Sequence, residues 1–164
     1  MPTTIRRATP ADATQAAEVF VASRATMTYL PKLHTDDETR AFIRETVGEK
    51  ETWIAEREGR VVGFAVIDGG WLEHLYVHPS RFNSETGSKL FTQITGSHPQ
   101  GFQLWVFQQN AGARRFYEAM GFVTARRWMS LELDRPASAG LGAEETRLNR
   151  KTSGMPASAS RPNR

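Results

Sequence analysis

The feature that most constrains this sequence is a continuous block from Leu104 to Phe122, L-W-V-F-Q-Q-N-A-G-A-R-R-F-Y-E-A-M-G-F. It opens on apolar residues that predict a buried strand at Phe102–Phe107. The segment Ala111–Met120 has a helical pattern, and Gly121 is a typical helix stop. The block therefore predicts a strand, a short loop and a helix in succession, which points to a fold that mixes strands and helices.

The rest of the chain continues this mixture. Helix starts are predicted at Thr9-Pro10-Ala11-Asp12 and Thr35-Asp36-Asp37-Glu38, where a hydroxyl residue precedes an acid by three positions. The predicted fold is α/β (α+β), a mixed, mostly antiparallel sheet of six to seven strands with about four helices, in the order β-α-α-β-β-β-α-β-α-β-β. The further elements expected are strands at Thr3–Arg7, Thr52–Glu56, Val61–Asp68 and Trp71–Val77, a helix at about Glu85–Gly96 and a closing strand pair at Phe122–Leu133.

Charge divides the chain at about residue 134. Residues 1–133 carry fifteen basic and fifteen acidic side chains, whereas residues 134–164 carry six basic and three acidic. The second segment is rich in Ala, Ser, Gly and Pro, a composition that buries too little apolar surface to order itself. We therefore expect one domain at 1–133 and a flexible basic tail at 134–164, with a short helix around Glu144–Lys151 left open. Because the core is neutral, no nucleic-acid partner is expected.

Several classes of protein are excluded by what the sequence lacks. It has no cysteine, so disulfides, thiolate zinc sites and a cysteine nucleophile are ruled out. No apolar run approaches the roughly eighteen residues of a membrane span, and the first residues lack a signal-peptide pattern, so a cytoplasmic protein without a membrane partner is expected. His74 and His78 on an extended strand are separated by roughly 13 Å, so no metal site is predicted.

Two blocks carry a resemblance to a known family. The Leu104–Phe122 block and W-L-E-H-L-Y-V-H-P at Trp71–Pro79 resemble the GNAT superfamily of acyl-CoA-dependent N-acyltransferases, over about residues 3–133. The resemblance implies that acetyl-CoA is the co-substrate and that its acetyl group passes, by direct attack, to a primary amine of an unidentified small molecule or peptide. A homodimer is left open.

The resemblance also implies where the coenzyme lies. A helix N-terminus near Glu85 offers unpaired N–H groups to the pyrophosphate, and neighbouring strand edges offer backbone groups to the pantetheine arm. For Asn110 the alternative is a helix cap, and for Arg115 it is a solvated helix face. The coenzyme-binding positions implied are Leu75, Tyr76, Val77, Asn83, Ser84, Thr86, Gly87, Ser88, Lys89, Asn110, Arg115 and Phe116.

The pyrophosphate loop departs from the family pattern Arg/Gln-x-x-Gly-x-Gly/Ala. Here the segment reads Phe82-Asn83-Ser84-Glu85-Thr86-Gly87, so that only Gly87 matches a family glycine. An ionised Glu85 beside a pyrophosphate adds a repulsion of roughly 1 kcal/mol near a surface. The alternative to an active acetyltransferase is therefore a catalytically weakened binding or regulatory module of the same fold.

Tyr117 and Glu73 are the catalytic candidates. Tyr117 matches the family tyrosine that protonates the departing thiolate, and a phenol suits this role because the ordinary pKa values of phenols and thiols are close. The alternative is a core aromatic residue. Glu73 is expected to share a strand face with Leu75 and Val77, opposite His74, and would accept the proton of the amine. The alternative is a salt-bridged glutamate.

The loop at Met27–His34 supplies the candidates for the acceptor site. Tyr29 and His34 are the residues of this loop that would contact an amine substrate. A lone histidine in such a loop is otherwise an ordinary surface residue. Nothing in the composition of the loop distinguishes a small amine from a peptide.

Overall fold

The computed structural model describes residues 2–30, 32–82, 84–107, 109–129 and 144–150. For residues 123–129 and 144–150 it describes the backbone only. The described residues form seven strands and four α-helices in the predicted order, so the predicted fold class is confirmed. The bounds are β1 Thr4–Arg7, α1 Ala13–Arg24, α2 Asp36–Glu49, β2 Glu51–Arg57, β3 Arg60–Asp68, β4 Trp71–Val77, α3 Thr86–Ser97, β5 Gln103–Phe107, α4 Ala111–Ala119, β6 Phe122–Met129 and β7 Glu144–Arg150.

The chain divides into two compact units. The first takes residues up to Met27 and His34–His98, and the second takes Thr28–Leu33 and the residues from Pro99 onward. In the first unit, β1, β2, β3 and β4 pair in sequence order, each antiparallel to the next. Short hairpins join β2 to β3 and β3 to β4, which explains why the meander follows so directly from the turn residues in the sequence.

The two predicted helix starts in the first unit have the expected chemistry. Thr35 Oγ1 accepts from the N–H of Glu38 at 3.1 Å, and Glu38 Oε1 accepts from the N–H of Thr35 at 2.9 Å, which completes a capping box. These bonds lower the pKa of Glu38 from its ordinary value. At the other start, a 3₁₀ turn follows Thr9, ends at Asp12 and leads into α1.

The core of the first unit lies where α1 and α2 pack against the sheet. Phe20 from α1, Ile43 from α2, Ile54 from β2 and Phe64 from β3 are all at most 2% exposed and belong to one cluster. Each large apolar side chain buried in this way contributes roughly 1.5–3 kcal/mol relative to exposure. The cluster therefore fixes α1 and α2 on one side of β2 and β3.

Helix α3 also belongs to the first unit, and it packs against strands of the sheet through a close approach at Gly63 of β3. A Cβ at Gly63 would lie 3.1 Å from Thr86 Cγ2 and 3.2 Å from Leu90 Cδ1. Both partners are side chains of α3 that are fully buried. The absent side chain at Gly63 thus lets the first turn of α3 lie directly on the strand.

The second unit contains α4 and three strands in the order β5, β7, β6, with both pairings antiparallel. Gly121 follows α4 with φ of 96°, a conformation that glycine adopts without strain, and this ends the helix as predicted. The ring of Phe102 lies 5.4 Å from that of Phe122, and both are buried.

The sequence expectations for the end of the chain need correction. The closing strand pair was expected within Phe122–Leu133, but β6 ends at Met129 and its partner β7 is Glu144–Arg150. A helix around Glu144–Lys151, left open above, is wrong for residues 144–150. The sequence of β7 is mostly polar and lacks the apolar pattern by which a strand is recognised. It forms a strand because its backbone pairs with a neighbouring strand on each side. Residues 130–143 and 151–164 lie outside the described residues, and their flexibility stays a prediction.

Among the helices that the structure describes, none is both long and apolar enough to cross a membrane.

Candidate functional site

The loop between β4 and α3 is held by hydrogen bonds within the loop and to β3. The His78 N–H donates to Val62 O at 2.8 Å, and His78 Nδ1 accepts from the N–H of Ser80 at 3.1 Å. Ser84 Oγ donates to Arg81 O at 2.5 Å. These bonds, one of them to β3, lead the chain from the end of β4 to the start of α3.

The side chains at the start of α3 are engaged locally. Thr86 is fully buried, and its Oγ1 lies 3.0 Å from Ser84 Oγ. Ser88 Oγ donates to Glu85 O at 3.0 Å. Because Ser84 and Ser88 donate their hydroxyl hydrogens to protein acceptors, the groups of this turn suited to an anion are backbone N–H groups, including that of Gly87. Asn83 lies outside the described residues.

Glu85 has a cationic neighbour. Lys89 Nζ lies 3.4 Å from Glu85 Oε1, one helical turn away, and donates to Thr3 O at 3.2 Å. Glu85 itself has φ of −72° and ψ of −7°, which is helical and unstrained. The ion pair offsets part of the repulsion that Glu85 would exert on a phosphate, because the Lys89 ammonium partly neutralises the Glu85 charge.

Phe82 occupies the loop position at which the family pattern has a polar residue. Phe82 is 45% exposed, and its N–H donates to Pro79 O at 3.2 Å. The phenyl group supplies neither a charge nor a hydrogen-bond donor for an anion.

Glu73 lies at an irregularity in β4. The register with β3 passes from Leu72 opposite Ile67 to His74 opposite Val66, so Glu73 is the extra residue of a β-bulge. Its side chain is 7% exposed, and Lys50 Nζ lies 3.5 Å from its Oε1. The salt-bridged alternative for Glu73 therefore describes the observed contact. The regular alternation expected for β4 is wrong at this point, because a bulge resets which face each side chain takes.

The second half of β4 is regular. Leu75, Tyr76 and Val77 pair with Ala65, Phe64 and Gly63 of β3. The ring of Tyr76 lies 4.6 Å from that of Phe20 in α1, and His74 contacts the same ring at 5.6 Å. Since the Tyr76 ring packs against α1, a role for this residue in holding a coenzyme would fall to its backbone.

In the second unit, α4 brings four predicted residues together. Asn110 caps the helix, its Oδ1 accepting from the N–H of Ala113 at 3.1 Å, so the helix-cap alternative describes its side-chain contact. Arg115 is exposed, and Phe116 is half-buried. Tyr117 is 8% exposed, with its ring 5.3 Å from that of Phe116 and 5.9 Å from that of Phe122. Tyr117 therefore packs in contact with two aromatic rings.

The acceptor-loop residues fall in different units. Tyr29 belongs to the second unit, where its ring lies 6.1 Å from that of buried Phe107. His34 belongs to the first unit and is exposed. The structure thus gives Tyr29 an anchored position and leaves His34 on the surface.

Sequence reasoning missed Lys50. Its ammonium reaches both Glu73 and Asp68, at 3.5 and 3.4 Å. No sequence pattern marks it, because the contact depends on the register between strands and on the bulge.

Among the described residues, no group of three or more histidine or acidic side chains is arranged to hold a metal ion.

Comparison with known proteins finds a family model that matches part of the chain. Residues 48–124 match the family model described as an acetyltransferase (GNAT) domain. The matched range includes β4, the loop after it, α3 and α4. The chain is also similar to the peptidyl-lysine N-acetyltransferase YiaC of Escherichia coli, with 32% identity over 73 residues, 44% of this chain and 49% of the relative. The chain thus matches about half the length of that relative.

Solved structures share the fold. Apo-form YjaB from Escherichia coli has a TM-score of 0.73 at 22% identity, covering 92% of this chain and 98% of that one. The yncA protein of Salmonella typhimurium, solved with acetyl-CoA, has a TM-score of 0.65 at 20% identity, covering 91% and 93%. The PaiA N-acetyltransferase of Thermoplasma acidophilum, in complex with coenzyme A, has a TM-score of 0.65 at 18% identity, covering 93% and 100%. Residues 48–124 thus match an acetyltransferase (GNAT) domain, and the chain shares the fold of these solved structures.

Proposed function

We propose that this protein transfers the acetyl group of acetyl-CoA to a primary amine by direct attack. The observation that carries the proposal is the GNAT domain match over residues 48–124. That range contains Glu73 and Tyr117, and it contains the α3 start to which the coenzyme role is assigned. One range therefore holds every group that the reaction would use for coenzyme binding and proton transfer.

The residues present at the start of α3 fit a coenzyme pyrophosphate through backbone more than through side chains. The N–H groups around Gly87 and Ser88 would hold the anion, because the first turn of a helix leaves such groups unpaired. The Glu85–Lys89 pair at 3.4 Å lessens the opposing charge. Backbone groups of Leu75, Tyr76 and Val77 would hold the pantetheine arm, with Asn110, Arg115 and Phe116 as further contacts.

Acetyl-CoA, when bound, supplies an acetyl thioester to the attacking amine. Glu73 accepts the proton that the amine loses as the carbon–nitrogen bond forms. Tyr117 donates its phenolic proton to the sulfur as the carbon–sulfur bond breaks, and solvent restores that proton. Both groups lie in sparsely hydrated positions, Glu73 at 7% and Tyr117 at 8% exposure, where a proton donor or acceptor competes least with water.

For the acceptor, we propose a lysine side chain of a peptide. The support is the curated relative, which is named for peptidyl-lysine N-acetylation and is 32% identical over 73 residues. Tyr29 and His34 are the residues proposed to contact the acceptor.

A second candidate function is a GNAT-fold binding or regulatory module with an impaired coenzyme site. Phe82 favours it, because an exposed phenyl group replaces the polar residue of the family loop. Glu85 favours it less, since its charge is already paired with Lys89.

Titration calorimetry with acetyl-CoA separates these functions first. Binding, followed by thiol release with an N-terminally blocked peptide containing one lysine, supports the enzyme. The matched control is the same peptide with arginine in place of lysine, which stays charged and cannot accept an acetyl group under these conditions. Binding without thiol release on a panel of lysine peptides and small amines supports the module, and no binding at millimolar acetyl-CoA contradicts the enzyme.

A further inference from the structure

Lys50 is held at the junction between α2 and β2. Its N–H donates to Thr46 O at 2.9 Å, where it forms the C-cap of α2. Its carbonyl oxygen accepts from Thr52 Oγ1 at 3.0 Å. Because the backbone is bonded on both sides, the fold sets the direction in which the Lys50 side chain leaves this junction.

The two carboxylates that meet the Lys50 ammonium differ in burial. Glu73 Oε1 lies 3.5 Å from Lys50 Nζ, and the Glu73 side chain is 7% exposed. Asp68 Oδ2 lies 3.4 Å away, with a side chain 54% exposed. An exposed pair adds little, whereas a buried carboxylate needs charged or hydrogen-bonding partners to be tolerated. The contact with Glu73 is therefore the one with structural weight.

The bulge makes this contact more important. In a regular strand the pleat fixes the direction of each side chain, but Glu73 is the extra residue at a bulge between Leu72 and His74. Side-chain contacts, of which the ion pair with Lys50 is one, therefore help to set the direction of its carboxylate.

We infer that Lys50 is a positioning residue for Glu73 and fixes its carboxylate in the orientation that receives the proton of the acceptor amine. The inference rests on the proposed function, in which Glu73 is the base. A general base must lie within hydrogen-bond reach of the proton that it removes, and a displacement of about 1 Å costs up to about a hundredfold in rate.

The kinetic test compares Lys50→Met and Lys50→Arg, with the single-lysine peptide as acceptor. Lys50→Met should lower kcat about tenfold or more, with KM for the peptide changed less than about twofold, because the change affects proton transfer and not binding. Lys50→Arg should recover most of kcat, since it restores a cation.

The matched control is Arg40→Met. Arg40 lies in α2, the helix that Lys50 follows as C-cap, and also bridges two carboxylates, those of Glu18 and Asp37, at 2.7 and 3.0 Å. It should leave kcat unchanged. Equal losses of kcat in Lys50→Met and Arg40→Met would overturn the inference, because they would report a general loss of ion pairs.

A readout that needs no turnover is a double-mutant cycle in urea. Lys50→Met and Glu73→Gln are measured singly and together, and the unfolding midpoint of the double variant should fall by less than the two single shifts combined. Additive shifts would overturn the inference. If the wild type turns over, Glu73→Gln is impaired and Lys50→Met is not, then the inference fails while the proposed function stands. A wild type without turnover on any amine overturns both.

Discussion

The guanidinium of Arg6 binds the carboxylate of Asp12 through two parallel hydrogen bonds. Arg6 Nη1 donates to Asp12 Oδ2 and Nη2 donates to Oδ1, both at 2.8 Å. Asp12 also accepts from the N–H of Thr9 at 2.7 Å, and its side chain is 8% exposed. The Arg6 hydrogen bond is the largest cause that lowers the pKa of Asp12 from 3.8 to about 2. This pair joins β1 to the turn that starts α1.

The Arg6–Asp12 pair predicts that the free energy of unfolding decreases at acidic pH. Because the folded-state pKa of Asp12 lies below its ordinary value of 3.8, the contribution is complete above about pH 4 and is lost as the pH falls through about 2. Asp12→Asn should lower the free energy of unfolding at pH 7 by on the order of 2 kcal/mol and make little difference at pH 2. Urea unfolding between pH 2 and pH 7 measures this. The control is Asp37→Asn, whose carboxylate is 92% exposed. A deficit of Asp12→Asn that persists unchanged at pH 2 would contradict the assignment.

The close approach of α3 to β3 predicts opposite effects at two glycines. Gly63→Ala should destabilise the fold by about 1–3 kcal/mol, because the new methyl group would lie 3.1 Å from the Tyr76 carbonyl oxygen as well as from α3. Gly96→Ala, within α3 and with nothing inside 4 Å, should stabilise it by about 0.5–1 kcal/mol. Thermal and urea unfolding compare the two. Equal effects at both positions would mean that packing at Gly63 is not limiting.

The position of β7 predicts where the chain can be shortened. Removal of residues 135–164 takes away β7, which pairs with both β5 and β6, and should produce a large fall in melting temperature or an insoluble protein. Removal of residues 152–164 keeps β7, which ends at Arg150, and should leave the melting temperature nearly unchanged. If the longer deletion melts like the full chain, the pairing of β7 does not stabilise the fold.

The Glu85–Lys89 pair predicts the response of coenzyme binding to charge. Glu85→Gln should tighten acetyl-CoA binding about fivefold, the equivalent of about 1 kcal/mol of repulsion removed near a surface. Lys89→Met should weaken binding, because it leaves the Glu85 carboxylate without a partner that now lies 3.4 Å away. Titration calorimetry measures both. Unchanged affinity in both variants would show that this turn does not meet the phosphates.

We expect Tyr117→Phe to slow the chemical step without weakening the binding of acetyl-CoA. The variant keeps the ring contacts with Phe116 and Phe122 and removes only the hydroxyl. The rate of thiol release should fall tenfold or more, while acetyl-CoA affinity stays nearly constant. Presteady-state thiol release with the lysine peptide measures the rate, and the melting temperature shows that the fold is intact. Full turnover, with chemistry as the slow step, would make Tyr117 a core aromatic residue only.

Much of the fold followed from local sequence. The Leu104–Phe122 block predicted β5, α4 and the stop at Gly121, and the capping pair Thr35 and Glu38 predicted the start of α2. These features succeeded because turns, caps and apolar periodicity act within a few residues of one another. The family resemblance came from the same local blocks, and the GNAT domain match at 48–124 confirms it.

The tertiary structure decided what depends on residues far apart in the sequence. The strand at Glu144–Arg150 is polar, so only its pairing with β5 and β6 makes it a strand. The bulge at Glu73 is set by the register between β3 and β4, and it places the carboxylate beside Lys50, twenty-three positions earlier in the chain. Sequence patterns report the preference of each segment by itself. Register, bulges and ion pairs between elements arise only when the segments pack, because their free energy lies in contacts that no single segment contains.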